Sequence, residues 1–446
     1  MMRSMFSGIS GLRIHQTKMD VIGNNIANVN TTAFKSSRVT FNEVFSQTLQ
    51  GASGASQQTG RGGRNPMQVG LGANISSIDT LMNIGAAQRT DNPFDLMIEG
   101  DGFFVVGDES GTYFTRAGVF RKDDDGNLVI PNGMKVKGWP AVDNGTRIQR
   151  GNVEDLKLDK PENLTASPEA TTNLRIQGNL NIEDGKSNGG VPVQLKFYDS
   201  LGNLYTANLN MEYKSDEKAW DLDIPSPLII SDSKGNKFEL GEVSSDDNPV
   251  KVVFDENGEL KIGDADASTG NGVFTITSSD NEGKFDLTES VGIKATLGPL
   301  TIDFTGLTQY NQKTNIDPLM GNEIGMGSGR EPGELTGYDI GADGIITAQY
   351  SNGQQKMLGQ IVIANFRNPA GLQKAGSNLF TTTPNSGDFD GIGNEPNLQG
   401  GVLEMSNVDL AKEFTEMITT QRGFQANSRI ITSSDEMLQE LVNLKR

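Results

Sequence analysis

A chain of 446 residues is long enough for two to four domains. Only 35% of it is hydrophobic and Gly alone accounts for 54 residues, which favours β-rich domains with many tight turns over one large core. The net charge of −19 argues against nucleic acid as a partner, and the absence of Cys excludes thiol nucleophiles, disulfides and cysteine zinc sites.

The acidity is uneven. Residues 1–50 hold five basic and two acidic side chains and 401–446 five and seven, so the middle carries −20, as a solvated outer surface would.

The first predicted element is a helix over 4–27, about 36 Å long at 1.5 Å per residue. Met5, Ile9, Leu12, Met19, Ile22 and Ile26 recur there at steps of three, four or seven, which lays an apolar seam along one face. Gly8, Gly11 and Gly23 interrupt it, each at a cost of roughly 1 kcal/mol against Ala. Fraying in the monomer and close backbone approach in a crowded assembly are both consistent with them. A Ser-His-Asp triad would have to use His15, the sole histidine, far in sequence from any plausible pocket, so His15 reads as a polar residue on a helix flank.

Next comes Asn24-Asn25-Ile26-Ala27-Asn28-Val29-Asn30-Thr31-Thr32-Ala33-Phe34-Lys35, whose Asn and Thr side chains compete for backbone hydrogen bonds. The run is expected to stop the helix and turn the chain. Residues 28–72 read as a linker or extended arm, with Gly, Ser, Gln and Ala dominating from 51 onward around Arg61 and Arg64.

Short strands and turns follow over 75–139. Phe103-Phe104-Val105-Val106 is a compact apolar strand, and 113–121 leads through Asp125-Gly126-Asn127 into Leu128-Val129-Ile130 as a hairpin. A more acidic stretch contains a second hairpin, Gln194–Tyr198 against Leu204–Ala207. Residues 313–337, rich in Gly, Asn and Pro, look like a connection, after which strands resume at 345–348 and 360–364. A Gly-rich loop at 385–401 precedes the last helix. Ser406 is its expected N-cap with Asp409 as a short capping box, and a continuation to Leu444 would span about 58 Å. Its seam is Leu410, Phe414, Met417, Phe424, Ile431, Leu438 and Leu441.

The expected fold is multidomain and mainly β, with nested β-domains between N- and C-terminal helices that form a coiled coil. Terminal helices occupy 1–27 and 406–446, a first β-domain 73–145 and 329–405, and an inserted outer β-region of one or two domains 146–328. Two seams so far apart in sequence pair only if the body returns both ends to one place. Even paired, they leave apolar surface that other copies of the chain must bury, which predicts a self-assembling protein.

Chemical motifs are weak. Gly325-Met326-Gly327-Ser328-Gly329 lacks the strand–turn–helix setting of a phosphate loop. Residues 122–127 and 387–391 hint at calcium loops without the ligand alternation or terminal Glu of an EF-hand, and turn chemistry accounts for them better. Nothing selects a glycosidase-like carboxylate pair. No catalytic, cofactor or metal residue is therefore expected. No run approaches the roughly 18–20 apolar residues of a membrane span, no cleaved secretory signal is expected, and the acidic C-terminal helix does not suit a membrane surface.

The run Asn24-Asn25-Ile26-Ala27-Asn28 with Thr31-Thr32-Ala33-Phe34-Lys35 resembles the bacterial flagellar axial proteins of the rod and hook. So do Glu99-Gly100-Asp101-Gly102-Phe103-Phe104, Phe114-Thr115-Arg116-Ala117-Gly118, the stretch Gly401-Val402-Leu403-Glu404-Met405-Ser406-Asn407-Val408-Asp409-Leu410, and Gln421-Arg422-Gly423-Phe424-Gln425-Ala426-Asn427. The resemblance covers about 1–145 and 335–446. Its hook branch matches best, at Tyr198-Asp199-Ser200-Leu201-Gly202-Asn203, Tyr350-Ser351-Asn352-Gly353-Gln354 and Asn365-Phe366-Arg367-Asn368-Pro369.

This resemblance implies a structural subunit exported unfolded by the flagellar export apparatus without a cleaved signal. It would polymerise outside the cell, at the tip beneath a hook cap, into a curved hollow tube. Terminal helices would line the inside and the insertion the outside. Rod proteins and hook–filament junction proteins would be its neighbours, and it would pass torque from rod to filament as a universal joint. Flexible connections at 28–72 and 313–337 would let outer domains slide during bending. A distal rod protein is the alternative in the same class, forming straight tubes. A secreted binding module or adhesin, closing into an oligomer of fixed size, is the alternative from another.

Overall fold

The structure is a computed structural model that describes residues 2–54, 62–108, 111–186, 190–225, 228–240, 243–244, 249–261, 273–278, 285–286, 296–297 and 299–444. A helix at Met2–Ala27 opens the chain and another at Leu410–Asn443 closes it, and nearly all the regular structure between them is strand. The chain divides into two compact units, one of residues 1–160, 338–348 and 356–446, the other of 161–337 and 349–355.

In the first unit the terminal helices accompany a β-arm and a sheet. The arm consists of β1 (Ser37–Glu43), β2 (Ser46–Gln50), β3 (Met67–Gly70) and β4 (Ala73–Thr80), with β1 paired to β4 and β2 to β3. Residues 28–72, expected as a linker or extended arm, thus include three hydrogen-bonded strands. Their Val39, Phe41, Thr48 and Val69 supply the β-branched and aromatic residues that strands favour. Arg61 lies outside the described residues, and Arg64 forms an isolated bridge with Ser53.

Part of the sheet runs in the order Ile345–Tyr350, Gln355–Ile361, Lys135–Val142, Phe103–Asp108, Gly111–Thr115, Leu379–Thr381 and Gln373–Gly376. Phe103, Val105, Phe114, Trp139, Val362 and Phe380 fill its core. The Trp139 indole nitrogen, buried with them, donates to the carbonyls of Gly151 and Ile392, 3.0 Å away in each case. Residues 146–160, expected in the insertion, stay with this unit because Arg147–Ile148 and Glu154–Asp155 pair with the strand at Lys135–Val142.

The second unit has its own core, with Leu174, Ile176, Leu195, Phe197, Trp220, Ile302 and Phe304 all buried. Its strand Leu204–Lys214 pairs with Val191–Tyr198, the hairpin expected from sequence, and also with Ala219–Asp223 and Leu228–Asp232. Residues 313–337, expected as a connection, hold Asn315–Met320, which pairs along its whole length with Asn173–Asn179, and the start of Gly333–Ile340.

Hairpin turns are built alike in both units. Asp123, Asp199, Asp232 and Asp255 each accept the backbone N–H four residues on. Gly126, Gly202, Gly235 and Gly258 supply the positive φ of 79° to 85° that such turns need. The amide of Asn127 also holds the Asp123 carboxylate below its usual range. In the other loop weighed for calcium, Asp390 accepts from Ile392 and Gly393. Both carboxylates are turn acceptors.

Candidate assembly interface

The terminal helices pair, and their contacts run in opposite senses along the chain. Ser4 meets Ser434, Gly8 meets Ile431, Gly11 meets Asn427, the His15 ring covers Gly423, and Asn25 donates to Glu413 at 3.1 Å. Lys18 and Glu416 form an ion pair at 3.1 Å. The pair is thus antiparallel, and its seam combines small and polar residues with Ile431, whose Cγ1 would lie 3.2 Å from a Cβ at Gly8. A Cβ at Gly11 would come within 2.6 Å of the Asn427 side chain, and one at Gly423 within 2.8 Å of the His15 ring. Those glycines allow the backbones to approach closely, and Thr420 and Ser434 are buried beside them.

The apolar seams expected to make this pairing enter it in part. Ile22 is buried in the chain itself. Ile431 packs at Gly8, and Met5, Leu12, Met19 and Ile26 on one helix, with Met417, Phe424 and Leu438 on the other, are half-buried. Ile9, Leu410, Phe414 and Leu441 are exposed, as are Phe6 at 64% and Ile418 at 54%, which the heptad reading left out. A hydrophobic pattern shows which residues avoid water; whether an intrachain or an interchain neighbour covers them is a tertiary fact.

The C-terminal helix begins later than expected. Asp409 is its N-cap, accepting from the backbone N–H of Ala411 and Lys412. Ser406 lies outside the helix and accepts from Val408 instead. The carboxylate wins the cap position because it meets two free N–H groups and the positive end of the helix dipole.

The N-terminal helix ends at Ala27, where the Asn and Thr run turns the chain. The Asn28 side chain donates to the carbonyl and side-chain oxygens of Asn24, Thr31 donates to Asn28, and Asn25 exchanges two hydrogen bonds with the backbone of Ser37. The carbonyl of Thr32 accepts from Asn378, and Lys374 sits 5.1 Å from the buried Phe34 ring. Thr31 and Thr32 also line an open pocket of about 420 Å3 with Thr115, Val119, Ile130 and Asn378.

Lys35 ends this run inside the protein. Its ammonium donates to Glu404 Oε1 at 2.6 Å and to the Asn83 carbonyl at 2.7 Å, with both charged side chains 1% exposed. Arg116 Nε lies 3.3 Å from Glu404 Oε2. The Arg116 guanidinium also donates to the carbonyls of Gly100 and Gly102. Burial pushes the Lys35 and Arg116 cations down from their ordinary ranges, and the Glu404 carboxylate pulls both back up. Sequence reasoning placed Lys35 among the candidates but missed Glu404 and Arg116 as its partners. The one available signal was a carboxylate inside the apolar run Val402-Leu403-Glu404-Met405.

Known families match along most of the chain. "Flagella basal body rod protein" covers residues 5–35 and "Flagellar hook protein FlgE/F/G D1 domain" 97–184. "Flagellar basal body protein FlaE D2 domain" covers 163–322 and "Flagellar basal body rod FlgEFG protein C-terminal" 399–444. Among curated relatives, the flagellar hook protein FlgE of Borreliella burgdorferi is 37% identical, with all of both chains covered. That of Treponema pallidum is 35% identical with the same coverage. The flagellar basal-body rod protein FlgG of Bacillus subtilis is 30% identical, again over all of both chains. Full-length identity to hook proteins, with the rod and hook domains in order, places this chain in the flagellar hook protein family.

Proposed function

We propose that the terminal helix pair is the surface through which copies of this chain, a structural subunit of the bacterial flagellar hook, pack side by side into a helical tube. One observation carries this reading: Phe6, Ile9, Phe414, Ile418 and Leu441 stand exposed on two helices whose own contact leaves them uncovered. Burying one such side chain contributes about 1.5–3 kcal/mol, far above the ~0–1 kcal/mol of a partly exposed ion pair such as Lys18–Glu416. The main gain for these helices thus lies in covering their outer faces with neighbours. Where such contacts are heterologous and the rotation between neighbours does not close, they build an open helical polymer.

On this reading the helices form the inner tube, the sheet of the first unit the next layer, and the second unit the outside. The tube transmits torque while it bends. The export apparatus is the partner it would meet on its way out of the cell, and rod proteins, a hook cap and hook–filament junction proteins those it would meet outside. The sliding expected of 28–72 and 313–337 does not belong to this proposal, because both stretches carry paired strands.

The test substitutes outward-facing residues. Phe414→Ser and Leu441→Ser chains are expected to keep the wild-type thermal transition as monomers but to lose polymer in sedimentation and electron microscopy. Polymerisation at the wild-type rate would defeat the reading. Straight tubes would favour the rod alternative, and a closed oligomer of fixed size the adhesin alternative.

A further inference from the structure

We propose that Glu404, with Lys35 and Arg116, is the positioning site that sets the angle at which the helix pair leaves the first unit's sheet, and so the twist of the polymer. The inference rests on the helix-tube reading above.

Three stretches distant from it in sequence converge on one carboxylate, and a fourth anchors one of them. Glu404 Oε1 accepts from Lys35 Nζ and, at 3.0 Å, from the backbone of Gly85. Its Oε2 faces Arg116, whose guanidinium is anchored on the Gly100 and Gly102 carbonyls. The backbones follow the side chains: Ala33 donates to the Glu404 carbonyl at 2.7 Å, and Asn407 to that of Phe34 at 3.3 Å. The Asn407 side chain then accepts from Ser36 at 2.8 Å and donates to Leu81 at 2.8 Å. The segment leaving one helix and the segment entering the other are thus bonded to each other and to the sheet at the same point.

A buried ion pair is a poor way to gain stability, since apolar side chains of similar volume often do as well. A charged triad provides direction: only one arrangement gives Glu404 Oε1 its two hydrogen bonds while its buried Oε2, which has no hydrogen-bond partner, faces Arg116, whereas an apolar contact at the same place would tolerate rotation. A joint that must carry torsion without slip needs that property. Four of the motifs that carry the family resemblance meet here, in Lys35, Gly100 and Gly102, Arg116, and Glu404.

Full-length wild-type and Glu404→Gln chains are compared as monomers and as polymers. In the variant, amide exchange at 33–36 and 404–407 is expected to lose about tenfold protection or more. The strand at Leu204–Lys214 should keep its protection, and electron microscopy should show a wider spread of subunit twist than in the wild type. If Glu404→Gln fails to fold, Asn407→Ala is expected to spread the twist alone, because it cuts the same bracket without stranding a buried charge. Wild-type twist in polymers of the variant that folds overturns the proposal. So does a protection loss spread evenly over the first unit, the mark of a cluster that only stabilises. Helices that gain no protection when wild-type chains polymerise would instead overturn the tube reading itself.

Discussion

Gly118 shows how much one position can depend on a distant one. A Cβ there would lie 1.8 Å from the Leu96 carbonyl oxygen and 3.0 Å from the Phe104 ring. The approach is close because Leu96 donates its N–H to the Gly118 carbonyl at 2.9 Å. Gly118→Ala must push two backbone segments apart and is expected to cost about 1–3 kcal/mol, read as a lower urea midpoint for the first unit. An unchanged midpoint would mean that the segments yield freely. The motif Phe114-Thr115-Arg116-Ala117-Gly118 was visible in the sequence, but the reason for its glycine was not, because Leu96 lies on another strand. The Asp-x-x-Gly turns at Asp123, Asp199, Asp232 and Asp255 are the opposite case. Their hydrogen bonds close within five residues, so local sequence suffices to read them.

At the scale of elements, the helix pair is the part most open to its surroundings. His15 lies in the seam with its Nδ1 buried and unpartnered, and burial and the Lys18 charge both lower its pKa from 6.5. An unfolded chain therefore takes up this proton more readily than the folded one. The helix pair should be unaffected above pH 6.5 and should lose stability as pH falls below it toward the depressed folded value. Glu413, which burial raises above 4.5, works in the opposite sense at lower pH. His15→Gln should abolish the loss between pH 7 and 5, read by helical circular dichroism during thermal melts. An identical slope in the variant would clear His15 of the effect. Both helices were legible as elements, since a period near 3.6 is a local signal. Their mutual face was legible only in part: Gly8 and Gly11, which interrupt the first helix, lie where the backbones meet, Gly23 has open space beside it, and Gly423 on the second helix was not singled out.

At the scale of the whole molecule, charge and assembly work against each other. The chain carries −19, with −20 between the terminal segments, and copies in a tube bring those middle regions together. The screening length falls from about 30 Å at 0.01 M salt to about 8 Å at 0.15 M. Polymerisation followed by light scattering should accelerate several-fold over that range; slowing with salt would show that attraction between charges drives it.

The sequence by itself determined the mainly β architecture between two terminal helices, the hairpins at Asp123 and Asp199, and membership of a polymer-forming family. Each of these is written in local periodicity or in contiguous motifs. The unit boundaries at 160 and 337 depended on which strand pairs with which, and the outward face of the helices on which side each turns toward the other. The burial of Lys35 against Glu404 depended on a contact across 369 residues. Only the tertiary structure decides such matters, because a pattern of apolar and charged residues states what each side chain requires but not which distant segment will supply it.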